Sequence, residues 1–156
     1  MPAPAPSVEI FDTLHELLRI FRARMRQHLA AAHPDLSFGA LRVLMQVGAH
    51  PGCAQKTLVE RSHIDKAQMA RLLSQLQDKG WLLRSESAQD RRVRELRLSA
   101  AGQHLFRQLA AQRAALAAEL LQGCPPAQQV QLQQLLAQAL GSARGAVQGD
   151  GPGSAP

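Results

Sequence analysis

Two short helices joined by a tight turn lie near the middle of the sequence, and they constrain the fold more than any other feature. Apolar residues at helical spacing predict these helices at about residues 55–61 and 66–79, with residues 62–64 as the turn. Asp65 is a typical N-cap for the second helix, and Gln68 occupies the capping-box position. A tight turn of this kind sets the second helix across the first, so the segment predicts a helix-turn-helix.

The hydrophobic period changes directly after Gly80. Residues 81–84 and 93–98 have the composition of short strands, and residues 85–92 form a polar turn between them. A two-stranded ribbon beside a helix-turn-helix is a wing. We therefore expect a winged helix-turn-helix over residues 54–98.

Helical patterns flank this segment on both sides. Aromatic residues make up only 3% of the chain and Tyr is absent, so leucine and alanine must fill the core, which favours helices over sheets. We predict helices at about 8–32, 38–49 and 99–122, with Ser37 and Ser99 as N-caps of the latter two, and a last helix that Pro125 begins. The predicted core residues of the helices at 38–49, 66–79 and 99–122 and of the last helix are, in that order, Leu41, Leu44, Met45 and Val47; Met69, Leu72, Leu73 and Leu76; Leu105, Leu109, Leu116 and Leu120; Val130, Leu132, Leu135, Leu136 and Leu140.

The fold class that follows is mainly α, a winged helix-turn-helix with an α/β wing and with N- and C-terminal dimerisation helices. We expect residues 8–144 to form the domain, with a central lobe at about 37–98 that contains the helix-turn-helix and the wing, and dimerisation helices at about 8–33 and 99–144. Residues 1–7 and 145–156 are rich in Pro, Gly, Ala and Ser and are expected to be disordered tails. A homodimer interface would bury the apolar seams of the terminal helices, and a four-helix core within one chain is the alternative.

The positive charge is concentrated in the central segment. Residues 56–97 contain ten of the eighteen Lys and Arg residues and six of the twelve Asp and Glu residues, which leaves +4 of the net +6 there. Cys53 and Cys124 have neither disulfide-framework nor zinc-ligand spacing, and the six histidines form no HxxH or HxxxH pair, so no metal and no cofactor is expected. The chain shows no signal peptide and no apolar run long enough for a membrane span, which predicts a cytoplasmic protein.

The second motif helix presents a polar face opposite its predicted buried stripe. The residues on that face are Lys66, Ala67, Gln68, Arg71, Ser74 and Gln75. Gln can pair bidentately with adenine and Arg with guanine, and Ala can contact a thymine methyl group. The residues in the first turns of such a helix lie deepest in the groove, so Lys66, Gln68 and Arg71 are the main candidates for base contacts. An ordinary solvated face is the alternative that this helix alone leaves open.

The wing favours DNA over a solvated face. Asp90-Arg91-Arg92 and Arg94 bring three arginines to the tip and the ascending strand of the ribbon. Arginine at a hairpin tip can enter a narrow minor groove, where the potential is most negative. Asp90 could orient the Arg92 guanidinium through a bidentate contact.

Taken together, these motifs resemble those of the multiple antibiotic resistance regulator (MarR) family of bacterial transcription factors. The resemblance covers residues 8–143 by element order and 55–102 by motif. The matching segments are Leu58-Val59-Glu60-Arg61, Ile64-Asp65-Lys66, Arg71-Leu72, Leu76-Gln77-Asp78-Lys79-Gly80-Trp81-Leu82, Asp90-Arg91-Arg92 and Leu96-Arg97-Leu98-Ser99 with Gly102. Two positions depart from the pattern, because Ser62-His63 replaces the usual Leu-Gly of the turn and Ala54 replaces the usual Thr or Ser cap.

The resemblance implies a homodimer that binds a pseudo-palindrome in double-stranded DNA, usually as a repressor released by a small molecule or by oxidation. It implies that Arg92 enters the minor groove with Asp90 as its partner, and that Ser37 and Arg42 lie near the DNA backbone. It also implies an effector pocket among the first, second and fifth helices. Candidates for that pocket are His15, Arg19, Arg22 and His28.

Three alternatives remain beside this interpretation. Cys53 and Cys124 fall at junctions between helices, so either could be an oxidant-sensing thiol. A winged helix that binds only protein would be expected to lack the cationic helix face and wing tip. An enzyme is disfavoured because the sequence has no GxGxxG, no P-loop and no nucleophile elbow.

Overall fold

The computed structural model describes residues 5–62, 64–87 and 93–149, and the side chains up to residue 145. Six helices and three short strands follow one another along these residues. They are α1 (Pro6–Ala32), α2 (Phe38–Ala49), β1 (Cys53–Ala54), α3 (Gln55–Ser62), α4 (Lys66–Asp78), β2 (Leu82–Glu86), β3 (Arg94–Leu98), α5 (Ala100–Leu120) and α6 (Pro126–Gly149). This is the mainly helical, winged helix-turn-helix architecture that the sequence predicts.

The chain divides into two compact units, residues 1–116 and 117–156. In the first unit, α2 packs against both α4 and β3, and the strands form an antiparallel sheet in the order β1-β3-β2. The core of this unit is built around the large side chains with the least exposure, which are Val43, Leu44, Val47, Met69, Leu73, Leu76, Leu96 and Leu109. The second unit contains the end of α5 and all of α6.

Three N-cap side chains begin their helices where the sequence predicts. Ser37 Oγ accepts a hydrogen bond from the Ala40 backbone N–H at 3.1 Å, and Asp65 Oδ1 accepts one from Gln68 at 2.8 Å. Ser99 Oγ accepts one from Gly102 at 3.0 Å. Each cap satisfies a helix N–H that would otherwise lack a partner, which fixes the first residue of α2, α4 and α5.

The terminal helices are longer than predicted. α1 begins at Pro6 instead of residue 8, because proline lacks the N–H that a first helical turn leaves unpaired. α6 begins at Pro126, since the Pro125 carbonyl accepts from the Gln129 N–H at 3.0 Å, and it continues to Gly149. Residues 6–7 and 145–149, predicted as parts of the tails, are therefore helical. Residues 1–4 and 150–156 lie outside the described residues.

Burial agrees with the prediction in α4 and differs from it in α6. Met69, Leu72, Leu73 and Leu76 are all buried. The five apolar residues predicted to be buried by α6 are exposed in the single chain: Val130, Leu132, Leu135, Leu136 and Leu140. Met45 and Leu120 are half-buried. The apolar seam of α6 is therefore exposed to solvent along the described part of this helix.

The wing differs from the prediction in detail. β2 begins at Leu82 and not at Trp81, because the backbone groups of Trp81 are bonded elsewhere. The Trp81 N–H donates to the Leu76 carbonyl in α4, and the Trp81 carbonyl accepts from the N–H of Ser99, which precedes α5. The sheet also has a third strand, β1, which pairs with β3 through Cys53 and Ala54. No helix in the described part of the chain is both long enough and apolar enough to cross a membrane.

Candidate nucleic-acid interface

The recognition helix α4 is held at both ends. At its start, the Asp65 side chain accepts from Gln68 and the Asp65 carbonyl accepts from Met69 at 2.9 Å. At its end, Gly80 has a φ of +72°, which a side chain would strain, and its N–H donates to the Gln77 carbonyl at 2.8 Å. Because the apolar stripe of α4 faces the core, the opposite face of the helix points outward.

That outward face carries side chains without internal partners. Lys66, Ala67, Gln68, Arg71 and Ser74 are exposed. Within the described part of the chain, the side chains of Lys66, Gln68 and Arg71 make no hydrogen bond or ion pair. These three residues therefore offer a donor-rich surface, with one amide and two cations, to a partner outside the chain.

Gln75 lies on the same face but is occupied. Its Nε2 donates to the Asp35 carbonyl at 3.0 Å, and its Oε1 accepts from Ser37 Oγ at 3.5 Å. Lys79 adds an ion pair with Asp35 at 3.0 Å. Gln75 thus ties α4 to the loop before α2. Its amide is hydrogen-bonded within the chain, whereas the amide of Gln68 has no partner among the described residues.

The turn between α3 and α4 is stabilised by Ser62 in place of a glycine. Its buried hydroxyl donates to the Val59 carbonyl and accepts from the Ile64 N–H, each at 3.3 Å. The Ser62 carbonyl in turn accepts from Arg42 Nη2 at 3.4 Å. His63 lies outside the described residues. Ser62 therefore supplies contacts that hold the turn where the family pattern has Leu-Gly.

The absence of a Ser or Thr cap before α3 has a structural counterpart in the sheet. Ala54 belongs to β1 and is paired with Glu95 of β3, so strand pairing fixes the chain just before Gln55. Because a two-residue strand is too short to show a hydrophobic period, β1 was not predicted from the sequence.

The described part of the wing carries cations on its flanks. Arg94 forms an ion pair with Glu86 across the ribbon at 3.4 Å, and Arg97 forms one with Glu95 at 3.2 Å. Next to the paired residues of β2 and β3, the Ser87 N–H donates a hydrogen bond to the Val93 carbonyl at 2.9 Å. The predicted tip residues Asp90, Arg91 and Arg92 lie outside the described residues.

A groove of about 660 Å³ separates α3 from the start of β3 in the wing. Lys66 and Arg94 line it together with Lys56, an α3 residue that was not among the predicted site residues. Lys56 is almost fully exposed and lies 3.9 Å from Glu60, the one carboxylate among the described residues of the groove lining. An exposed lysine in the first turn of α3 was the available signal. The groove continues the cationic surface from α4 towards the wing.

A second cavity, of about 450 Å³, lies among α1, α2 and α5. Its walls are apolar, with Leu18, Phe21, Met25, Phe38, Leu41, Met45 and Leu109, and they also carry four arginines, Arg22, Arg26, Arg42 and Arg113. Gln46 completes the lining, and none of the described lining residues is a carboxylate. The Oε1 atom of Gln46 is buried and has no hydrogen-bond partner among the described residues.

Of the four predicted pocket residues, the structure places only Arg22 in this lining. His15 and His28 do not line it. Arg19 pairs with Glu16 instead, through contacts of 2.8 and 2.6 Å, and this hydrogen bond lowers the pKa of the Glu16 carboxyl. Arg26 lies over the Phe38 ring, 5.4 Å from its centroid.

The environment of Cys53 works against an activated thiol. Burial raises the pKa of the Cys53 thiol, and neither its backbone hydrogen bond nor the nearby Arg61 cancels this effect. A raised pKa reduces the thiolate fraction, which is the reactive form. Cys124 is half-buried in the turn between α5 and α6. Among the described residues, no three His, Cys, Asp or Glu side chains cluster as metal ligands would.

Comparisons with known proteins agree with this geometry. The chain is 29% identical over 96 residues to the transcriptional regulator HosA of Escherichia coli, a match that spans 62% of this chain and 68% of HosA. FabT of Streptococcus pneumoniae, solved in complex with DNA, superposes with a TM-score of 0.76 at 18% identity, over 90% of this chain and 99% of FabT. PcaV of Streptomyces coelicolor, solved with its natural ligand, gives a TM-score of 0.65 at 23% identity, over 92% of this chain and 99% of PcaV.

The two solved structures support the fold alone, and the sequence match is to a transcriptional regulator. Residues 35–93, which include α2, the helix-turn-helix and the first strand of the wing, match the model of the MarR family. Over residues 35–93 the chain is therefore similar to the MarR family, and it has the winged helix-turn-helix fold.

Proposed function

We propose that this protein is a sequence-specific DNA-binding regulator that represses transcription by binding a pseudo-palindromic operator as a homodimer. One observation carries the proposal. α4 turns Lys66, Gln68 and Arg71 outward with no partner inside the described part of the chain. Its other face is fixed to the core, so these side chains are displayed by a rigid element.

The chemistry of these residues suits the major groove of DNA. Arg71 can bind guanine O6 and N7, Gln68 can bind adenine N6 and N7, and Ala67 can contact a thymine methyl group. Lys66 is at the N-terminus of the helix, where it can reach a phosphate or a base edge. FabT, a structural neighbour, was solved in complex with DNA, which supports the same class of partner here.

We assign backbone and minor-groove contacts to the residues around α4. Arg92, oriented by Asp90, would enter the minor groove, with Arg91 and Arg94 beside it. Ser37 and Arg42 would lie near phosphates, as would Lys56 in the groove between α3 and the wing. Gln75 lies on the DNA-facing side of α4 that we propose, but its amide is already hydrogen-bonded to Asp35 and Ser37.

The decisive experiment is binding to the intergenic DNA next to the gene of this protein, measured over a range of salt concentrations. Specific affinity should fall steeply with salt, with a slope of ~0.9 per phosphate neutralised. Arg71→Ala should weaken specific binding by at least about fivefold, given ~1–3 kcal/mol for a bidentate base contact, and Arg92→Ala should also weaken it. Arg107→Ala, which removes a cation outside the proposed interface, should retain the affinity of the wild type. Equal affinity for operator and random DNA would contradict the proposal.

The cavity among α1, α2 and α5 is the proposed effector site, and its chemistry selects an organic anion. Four arginines without a carboxylate in the lining favour a negative charge, and the apolar wall favours an aromatic or branched carbon skeleton. PcaV, another neighbour, was solved with its natural ligand, so the fold accommodates small molecules. We propose that such a ligand releases the repressor from DNA.

A pair of probes of the same shape tests the charge requirement. 2-Naphthoate should raise the melting temperature of the protein, and the neutral 2-naphthamide should not. Arg22→Met and Arg113→Met should each reduce the naphthoate shift, because each removes one of the cavity cations. An equal shift with the amide would exclude an anion site.

A further inference from the structure

Arg42 occupies a position that none of the other cavity arginines shares. Its side chain lines the cavity, and its Nη2 atom donates to the Ser62 carbonyl at 3.4 Å. In the described part of the chain, Arg22, Arg26 and Arg113 make no hydrogen bond to the helix-turn-helix. Arg42 is therefore a direct side-chain link between the cavity and the DNA-binding motif.

The atom that Arg42 holds lies at a sensitive point of the motif. Ser62 is the last residue of α3, and its side chain is buried in the turn, where it bonds to Val59 and Ile64. Asp65, which caps α4, follows three residues later. A shift of the Ser62 carbonyl is thus passed through a very short segment to the residues that fix the start of the recognition helix.

The bond to Ser62 is one that an anion in the cavity can displace. At 3.4 Å it is long for an N–H···O hydrogen bond, and its acceptor is a neutral carbonyl. A carboxylate can accept two parallel hydrogen bonds from one guanidinium and carries the opposite charge, which makes it the stronger acceptor. Among the described residues of the cavity lining, no carboxylate competes with the anion for Arg42.

We propose that Arg42 is the positioning residue through which cavity occupancy controls the recognition helix. With the cavity empty, Arg42 holds the Ser62 carbonyl, and the turn keeps α4 in its DNA-binding position. With an organic anion in the cavity, Arg42 turns to the anion, the turn loses its tether and DNA affinity falls. The inference rests on the proposed DNA binding and effector site, and it adds the residue that connects them.

The tether is tested first without any ligand. In Arg42→Met, amide hydrogen exchange should become faster in the peptide that spans the α3–α4 turn, and Arg113→Met should leave exchange of that peptide unchanged. DNA affinity of Arg42→Met should fall, and exchange of the turn peptide is the readout that separates a tether from a phosphate contact. If Arg42 contacts only a phosphate, the salt slope should decrease by ~0.9 while exchange of the turn peptide stays unaltered, and that outcome would overturn the tether.

The coupling is tested with 2-naphthoate at saturating concentration. Wild-type DNA affinity should fall at least about fivefold, the lower end of typical allosteric couplings. In Arg42→Met, the ratio of the DNA affinity without naphthoate to the DNA affinity with naphthoate should be close to one even at saturation. Arg113→Met should need more naphthoate to reach the wild-type ratio, because it weakens naphthoate binding but keeps the contact between Arg42 and Ser62.

The outcomes separate the two proposals. If Arg42→Met responds to naphthoate as the wild type does, the role of Arg42 is wrong while the effector site stands. If the wild type does not respond, the anion effector is wrong, so the coupling through Arg42 is overturned as well. Turn exchange then decides only whether Arg42 is a structural tether.

Discussion

Gly102 lies where the first turn of α5 passes close to the backbone of Trp81, just after the end of α4. A Cβ atom at this position would clash with the Trp81 carbonyl oxygen. Since this neighbour is backbone, it cannot move aside as a flexible side chain would. Gly102→Ala should lower the free energy of unfolding by about 1–3 kcal/mol, as overpacking in a core does. Urea denaturation would measure the loss.

The matched control for this substitution is Gly141→Ala in α6. No atom lies within 4 Å of the position that its Cβ would occupy. Alanine is the better helix former by up to about 1 kcal/mol, so this variant should be as stable as the wild type or more stable. Equal destabilisation by both substitutions would contradict the packing at Trp81.

The thiol of Cys53 makes stability depend on pH. Burial raises the pKa of this thiol above its value in the unfolded chain. The neutral thiol therefore stabilises the fold below the usual thiol pKa of about 8.5, and this contribution is lost as the pH rises through the folded-state pKa. The wild type should lose stability relative to Cys53→Ala over that alkaline range. If the difference in unfolding free energy between the wild type and Cys53→Ala stays constant with pH, this prediction is wrong.

At the scale of whole elements, α4 was predictable and β1 was not. The apolar period of α4 and the Asp65 cap are both local signals, and each is confirmed by burial and by a 2.8 Å bond. β1 consists of Cys53 and Ala54 alone and exists because β3 lies beside it. Such a strand depends on contacts distant in sequence, so no local pattern contains it. The role of Gln75 is hidden for the same reason, since its partners are 38 and 40 residues away.

Gln75 and Gln68 therefore provide a test of which face of α4 reads bases. Gln75→Ala removes two hydrogen bonds that tie α4 to the loop before α2, so it should cost about 1 kcal/mol of stability and leave base preference unchanged. Gln68→Ala removes no internal side-chain bond, so it should keep stability and relax the preference at one base pair. Thermal melts and binding to single-base operator variants measure both. Altered base preference in Gln75→Ala would reverse these roles.

At the scale of the whole molecule, the single chain leaves apolar surface uncovered. Leu132, Leu135, Leu136 and Leu140 recur at the spacing of one helix face, and between 37% and 58% of each is exposed. The first turns of α1 also expose Val8, Ile10 and Phe11, each by 50% or more. The sequence identified the α6 seam correctly as apolar, but it could not say which chain covers it. A second copy is the partner that we propose for this seam, and a four-helix core within one chain is the alternative.

Leu135→Glu tests that assembly. Leu135 is 58% exposed in the single chain, so a glutamate there disturbs no monomer packing, whereas in a dimer it would place a charge in the apolar seam. The variant should remain folded by circular dichroism, sediment as a monomer and bind a two-half-site operator more weakly, because each monomer then contacts only one half-site. Gln134→Glu adds the same charge on the opposite side of α6 and should stay dimeric. A Leu135→Glu protein that sediments as the wild type does would show that the α6 seam is not the interface, and the exposed face of α1 would then be the surface to test.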